Sequence, residues 1–376
     1  MSVSSCDSLS LAEQAHRERE RVHLQMIQDL GDNNGQLKCW TNTNEAFCYP
    51  SRIPVPHGRH SWNFMIPVES YDDIVEDFTH NAVVENMKLP LGIPQRWSHP
   101  AVLSESEKLD VLNTWVPVFL DFKVSLRKVA DTCYRDANGC ALNPAGRTGL
   151  KGRGLCGLFG ANHAADFILG YTDKNGEVRL LTIRRKDTGQ DACTGGMVDP
   201  PDLLDVTNLA STGLRELEEE ATDTSGASKS KCIAELKQHI ADGNIYTVYG
   251  GPVDDERGTD HAWIVTTVYV VPVSEAFAKR LPLQKENDEV VKNSVQWRTW
   301  NQIMANPKGI FASHKMFFRL AIQKITSLSF ADNAKLLKRT LPTSFFDNIK
   351  AQKVDPDHNL SVRVSSSSCQ YPFARR

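Results

Sequence analysis

Gly195-Gly196 and, further on, Arg215-Glu216-Leu217-Glu218-Glu219-Glu220-Ala221 are the two pieces of sequence that decide how this chain is read. Placed on a helical wheel at about 100° per residue, Leu214, Leu217 and Ala221 fall within about 40° of Ala210 and form a buried stripe. Glu216, Glu219 and Glu220 then share one flank beside that stripe. Like charges three and four residues apart destabilise an isolated helix, so something must neutralise them. A hard divalent cation with oxygen ligands does so. Read alone, the run also fits a solvated acidic face. The Gly-Gly turn and the strand ahead of it favour the cation, as does Arg215, placed to orient a glutamate by a bidentate pair.

Around this helix the pattern alternates between strand and helix. Phe167–Tyr171 and Val178–Arg184 read as strands joined by Asp173-Lys174-Asn175-Gly176, a turn whose Asn-Gly accepts positive φ. Ile264–Val273 and Val295–Trp300 read as further strands. Ser313 is placed to cap a last helix with Phe317, Ala321, Ile325 and Leu328 on its apolar face. Helices are also expected over 10–30, ending at Gly31, and over 104–131, with Pro117 as a break. Residues 36–70 read as irregular and 361–376 as a flexible tail. Gly152-Arg153-Gly154-Leu155-Cys156-Gly157 fits the dinucleotide fingerprint in letters only. Turn chemistry precedes it and no helix pattern follows, so no pyrophosphate meets a helix N-terminus.

The chain has 376 residues, 40% of them hydrophobic and 24% charged, the mixture of a globular protein of about two domains. A net charge of −3 supplies no global field for nucleic acid. No apolar run is long enough to span a bilayer. Nine scattered cysteines without a C-x-x-C pair point to a reducing compartment and not to a disulfide framework or structural zinc. Residues 1–30 are acidic on balance, unlike a mitochondrial presequence, and carry no secretory apolar core. The expectation is therefore cytoplasmic, ahead of mitochondrial, with no membrane and no nucleic-acid partner, and a monomer.

The ensemble resembles the Nudix box, G-x5-E-x7-R-E-U-x-E-E-x-G-U with U aliphatic. Asn143 to Gly154, Gly160 to Asp166, Arg184-Arg185-Lys186-Asp187, Gly195 to Pro200, Tyr249-Gly250, Asp254 to Trp263 and Ala312-Ser313-His314 narrow the resemblance. They are similar to the ADP-ribose pyrophosphatases of the mitochondrial type, a branch that also holds the Nudix-homology domain of melastatin TRP channels. Cys48 to Pro56 and Trp62 look familial too, so the likeness covers roughly 46–325. It implies an α/β class fold, a Nudix α/β/α sandwich with an N-terminal cap domain. The implied organisation is a helical extension 1–35, a cap 36–142, a hydrolase domain 143–350 and a tail 351–376. The implied reaction is Mg²⁺- or Mn²⁺-dependent hydrolysis of ADP-ribose to AMP and ribose 5-phosphate. Glu216, Glu219 and Glu220 would be metal ligands, Arg215 their orienter, and Gly195-Gly196 the turn of the box. The general base is left open among those glutamates, Asp288 and Glu289. Asn162, His163, Asp166, Asp254, Asp255, Arg257 and Asp260 are implied substrate contacts. For the 254–260 run the alternative is a charged surface turn, and for His163 a structural histidine.

The box also departs from its pattern. Asp202 stands where glutamate is expected, and twelve residues separate it from Arg215 where the pattern has seven, a five-residue insertion. Thr222 and Asp223 replace the closing Gly and aliphatic residue. Upstream, Trp-Ala-Ile-Pro-Gly-Gly reads Asp191-Ala192-Cys193-Thr194-Gly195-Gly196; losing the tryptophan and proline is expected to loosen the site. The R-E-x-x-E-E core lies on the helix after the insertion and keeps its register, so an active, weakened hydrolase is expected. Two alternatives stay open: a non-catalytic ADP-ribose-binding module, and a hydrolase of another nucleoside diphosphate derivative.

Overall fold

The computed structural model describes residues 142–157, 159–198, 209–223, 227–283 and 289–340, with the side chains of 227–229 and 330–340 excepted. It also describes short stretches between 17 and 79. The expected helix at 104–131, the insertion around 201–208, Asp202, Asp288 and the tail lie outside the described residues. The chain divides into a unit Met1–Thr326, which holds every site considered below, and a unit Ser327–Arg376.

Nine strands and five helices carry the described fold. The strands are β1 (Asp77–Thr79), β2 (Lys151–Gly154), β3 (Gly160–Thr172), β4 (Val178–Arg184), β5 (Asp191–Ala192), β6 (Thr194–Met197), β7 (Tyr246–Pro252), β8 (Ala262–Pro272) and β9 (Gln296–Thr299). The helices are α1 (Ala210–Glu220), α2 (Ala227–Ala241), α3 (Glu275–Arg280), α4 (Trp300–Ile303) and α5 (His314–Thr340). A seven-stranded mixed sheet runs β5-β4-β3-β8-β7, with β6 paired to β3 and β9 to β4. Its spine is the parallel β3–β8 pair, in register from Gly160↔Ala262 to Gly170↔Pro272. That pairing explains why β3 begins at Gly160 and not at Phe167: the polar Asn162-His163-Ala164-Ala165-Asp166 stretch lacks alternating hydrophobicity but is zipped to β-branched β8. The hairpin forms as expected, Gly176 taking φ 83°. In the glycine-rich segment, strand β2 holds two glycines of the fingerprint, and a turn and strand β3 follow.

Both faces of the spine are buried, as a strand between helical layers must be. Phe167, Leu169, Trp263, Val265, Tyr269 and Val271 share one apolar cluster with Leu217 and Ala221 of α1 and its end, Cys232 and Leu236 of α2, and Phe277 of α3. Ile168, Val268 and Val270 point the other way, into a cluster with Ile303 of α4 and Phe317, Phe318, Ala321 and Ile325 of α5. This is an α/β/α sandwich. Within α1 the interior Gly213 costs helix propensity. A Cβ there would stand 3.0 Å from the Phe167 ring, so its absence lets α1 lie close on β3.

The described N-terminal residues are pinned to the sheet's loops by named bonds. Arg17, Glu20, Arg21, His23, Leu24, Ile27, Gln28 and Leu30 are helical, and the Gly31 amide closes on Ile27 O at 3.1 Å. The buried Arg52 guanidinium donates to the carbonyls of Glu256 (2.6 Å) and Gly258 (2.7 Å). Trp62 and Trp40 donate their indole N–H to Asn143 O (2.8 Å) and Ala145 O (3.0 Å). Among the described residues no helix is long and apolar enough to cross a membrane.

Candidate active site

The antiparallel β3–β6 pair sets Asp166 opposite Gly195 and Ala165 opposite Gly196. Helix α1 crosses above this pair. A Cβ on Gly196 would stand 2.5 Å from the carboxyl carbon of Glu216, so only glycine leaves room for that carboxylate. The Gly195 N–H donates to Glu220 Oε2 at 2.9 Å. Gly195-Gly196, implied to be a turn, instead lies within strand β6, and there it forms a cradle for two glutamates of the helix that follows it in sequence.

Glu216, Glu220 and Glu289 converge, each offering an oxygen, and these oxygens lie within 4.8 Å of one another. Glu289 reaches the site because the Lys186 amide bonds its carbonyl at 2.8 Å and Arg185 bridges to Val290. Burial raises the Glu220 pKa, and the charges of Glu216 and Glu289 add to it; the Gly195 N–H and Arg185 pull it down, leaving it at about 8. A buried carboxylate crowded by two others, with oxygen donors only, is the environment that a hard divalent cation satisfies, and Mg²⁺ or Mn²⁺ fits this donor set. Glu219 is placed differently. Its side chain is 59% exposed and pairs with Arg215 at 3.2 Å. Arg215 also meets Glu216 Oε1 at 2.9 Å, so its guanidinium is shared between Glu216 and Glu219.

Glu216, Glu220 and Glu289 line a cleft of about 460 Å³ that also holds Asp166, Asp255, Arg257, Thr266 and His314. That volume suits a small organic ligand. Asp255 is buried and bidentate to Arg257, at 2.9 and 2.8 Å. Burial pushes its pKa up, but the charge and hydrogen bonds of Arg257 outweigh this and hold it below the usual carboxylate value. Arg185 stacks 4.5 Å over the Phe311 ring at the cleft edge. Of the expected contacts, Asp166, Asp255 and Arg257 line the cleft.

The others sit elsewhere, holding the frame. Asn162 is buried and donates to Gly160 O (3.1 Å) and Trp263 O (3.4 Å). His163 is held neutral, burial lowering its pKa to about 4. Asp260 accepts from the Thr148 amide (2.7 Å) and hydroxyl (2.8 Å). Asp254 accepts from the amides of Lys38 (2.6 Å) and Cys39 (3.2 Å). The 254–260 run is therefore not an exposed turn: Asp255 faces the cleft, Asp254 the N-terminal segment and Asp260 the Thr148 loop.

Asp166, Cys193 and His314 form a second convergent trio, fully buried. It does not fit a metal. The Cys193 N–H donates to His314 Nδ1 at 3.0 Å, which fixes the ring proton on Nε2 and leaves no free imidazole lone pair. The trio is a hydrogen-bonded wall of the cleft: the Cys193 thiol lies 3.5 Å from Asp166 Oδ1, and Thr266 donates to Oδ2 at 2.7 Å. The substitutions expected to loosen the site are also compensated. Asp191 is buried between Arg184 (2.8 Å) and Arg298 (2.7 Å), and Thr194 donates to Phe167 O at 2.7 Å.

Over 277 residues the chain is 32% identical to the mitochondrial ADP-ribose pyrophosphatase of Rattus norvegicus, covering 69% of this chain and 73% of that one. The chain belongs to the ADP-ribose pyrophosphatase branch of the Nudix hydrolases. It is 37% identical over 179 residues to nudix hydrolase 6 of Caenorhabditis elegans, covering 48% of this chain and 62% of the relative. Over 143 residues it is 37% identical to a transient receptor potential channel, subfamily M member-like 2, of Nematostella vectensis, covering 35% of this chain and 9% of the channel. The family model described as NUDT9-like, N-terminal domain, matches residues 78–160. Arg185, Thr266, Phe311 and His314 are cleft residues of this Nudix chain to which the sequence reading assigned no role. Arg185 and His314 stood within the motifs that carried the resemblance, which was the available signal.

Proposed function

We propose that this Nudix chain hydrolyses the diphosphate bond of ADP-ribose, with Mg²⁺ or Mn²⁺, to AMP and ribose 5-phosphate. The observation that carries the reading is the convergence of Glu216, Glu220 and Glu289 on a cleft edged by Arg185 and Arg257. A diphosphate needs cations near its oxygens: the glutamate trio would hold a metal ion, and Arg185 and Arg257 line the same cleft. The rat relative is named an ADP-ribose pyrophosphatase, which favours this substrate over other nucleoside diphosphate derivatives.

Glu216 and Glu220, with Glu289, would hold the ion. When bound, a divalent cation offsets charge on the diphosphate and acidifies an attacking water. Arg215 keeps Glu216 aimed, and Gly195 keeps Glu220 aimed. Arg257, locked to Asp255, presents a fixed positive edge without reorganising as substrate arrives. Asp166 lines the same cleft, its carboxylate held by Thr266 and the Cys193 thiol. Glu289 is the exposed member of the trio and the group suited to take a proton from water.

Product analysis tests this directly. Purified protein with ADP-ribose is expected to yield AMP with Mg²⁺ and none in chelator. Ligand-dependent thermal stabilisation without AMP would replace the hydrolase with a binding module. Faster turnover of another nucleoside diphosphate derivative would move the substrate assignment.

A further inference from the structure

A second cavity, of about 520 Å³, backs onto the cleft. Lys38, Lys308, Lys315 and Arg319 line it, on three different segments of the chain. Lys308, Lys315 and Arg319 are exposed and form no ion pair among the described residues. Lys315 and Arg319 are four apart on α5 and so project side by side, a repulsive spacing that costs the helix stability. Lys38 reaches only a carbonyl, Ala312 O, at 3.4 Å. Among the described residues the one carboxylate on the wall, Asp254, is already engaged by two backbone amides. In a chain whose net charge is −3, four cations collected around one hollow are a local inversion of sign. The rest of the described lining mixes the polar Gln28, Gln36 and Ser313 with Leu30, Trp300, Ile310 and Met316, of which Leu30 and Trp300 are half-buried.

We infer that this cavity is a second ligand site, separate from the cleft, for a nucleoside polyphosphate. The phosphate chain would lie against Lys308, Lys315 and Arg319, and the nucleoside against the apolar residues. An inorganic anion alone would use the cations and leave the half-buried faces of Leu30 and Trp300, whose other sides pack on the core, uncovered in the cavity. A protein segment would need no such concentration of charge in one hollow. The site lies on the far side of Ala312 from the glutamate trio, so it does not depend on the reaction proposed above.

The test is calorimetric titration of the full chain with ATP, and separately with inorganic triphosphate, in chelator without divalent cation. Under those conditions Glu216, Glu220 and Glu289 repel anions from the cleft. The expected result is saturable binding at one site, with ATP several-fold tighter than triphosphate. Lys315→Ala combined with Arg319→Ala is expected to weaken ATP binding by about tenfold or more, since two charge-assisted contacts are lost. Lys308→Ala, on a separate element, is expected to weaken it too, and Arg185→Ala in the cleft to leave it unchanged. All four side chains are exposed or partly so, and melting curves would confirm that the variants fold. Absence of binding would overturn the inference. So would unchanged affinity in the lysine and arginine variants, or loss in Arg185→Ala. Equal affinity for ATP and triphosphate would overturn the nucleoside part.

Discussion

The acidic cleft and the basic cavity stand back to back, and the wall between them is one strand end and one turn. Val253 and Asp255 line the cleft while Asp254, between them, lines the cavity. Ala312 borders both and takes φ 38°, a left-handed conformation uncommon for a residue with a side chain. Extended backbone alternates its side chains, so neighbouring acids in sequence serve opposite hollows. The cleft is built from buried groups held by backbone donors and glycine-sized gaps. Of the cavity's cations, Lys308, Lys315 and Arg319 are exposed and form no ion pair among the described residues. The first should therefore be rigid and intolerant of substitution, the second tolerant.

The largest effect expected is at Glu220. Glu220→Gln removes a buried carboxylate of the converging trio and should lower ADP-ribose turnover by about 10²-fold or more, as losing a key charge in a preorganised site does. Glu219→Gln, at an exposed group paired with Arg215, should cost less than tenfold. Single-turnover rates for the two variants decide this. Equal losses would restore Glu219 to the ligand set that the sequence implied. Gly196→Ala should fall near Glu220→Gln, because its new methyl group would displace the Glu216 carboxylate.

Acid–base linkage sharpens the same contrast. In the metal-free chain Glu220 has a pKa of about 8, raised from 4.5. Between those values the folded chain holds one proton more than the unfolded chain. This group's contribution to stability is full below about pH 4.5 and is lost as pH rises toward 8. A divalent cation takes the place of that proton, so its stabilising effect should grow over the same window. Melting temperatures at pH 5.5 and 8.5, in chelator and in Mg²⁺, should show the larger metal increment at pH 8.5. Glu220→Gln should erase the difference.

Asp260→Ala separates bracing from binding. It leaves the Thr148 amide and hydroxyl without their shared acceptor, at a cost of about 1–3 kcal/mol. Denaturant midpoints should fall, while KM for ADP-ribose stays near the parent value. A large KM change without a loss of stability would return Asp260 to the substrate contacts.

What could be read from the sequence was what local chemistry settles. The α1 stripe, the Asn175-Gly176 hairpin, the long β8 strand and the apolar face of α5 each follow from periodicity or turn preference. The start of β3 at Gly160 did not, since its polar residues become strand only through eleven paired positions on β8. The carboxylates separated on the same grounds. A helical wheel puts Glu216, Glu219 and Glu220 on one flank, but it cannot show that Gly196 leaves room for Glu216, or that Gly195 donates to Glu220. Nor can it show that Glu289 closes the trio from a distant loop. Asp254 and Asp260 looked like Asp255 in sequence. They are told apart only by the N-terminal segment and the Thr148 loop that occupy them.

The smallest effect should come from the cavity, and its sign is informative. Lys315 and Arg319 repel each other across one helical turn, and the one carboxylate on the described cavity wall, Asp254, is engaged by two backbone amides. Replacing Lys315 by Gln removes that repulsion and should raise stability by about 0.3 kcal/mol, the size of a like-charged pair at this spacing. High salt should produce the same gain in the parent chain, because exposed charges are screened over a few ångströms at molar ionic strength. The gain should vanish in Lys315→Gln. Saturating ATP should stabilise the parent more than the variant, reversing the order of their melting temperatures. A surface on which these charges were merely solvated would give the small gain without the reversal. The crossover in melting temperature thus separates a built anion site from two adjacent cations on a helix.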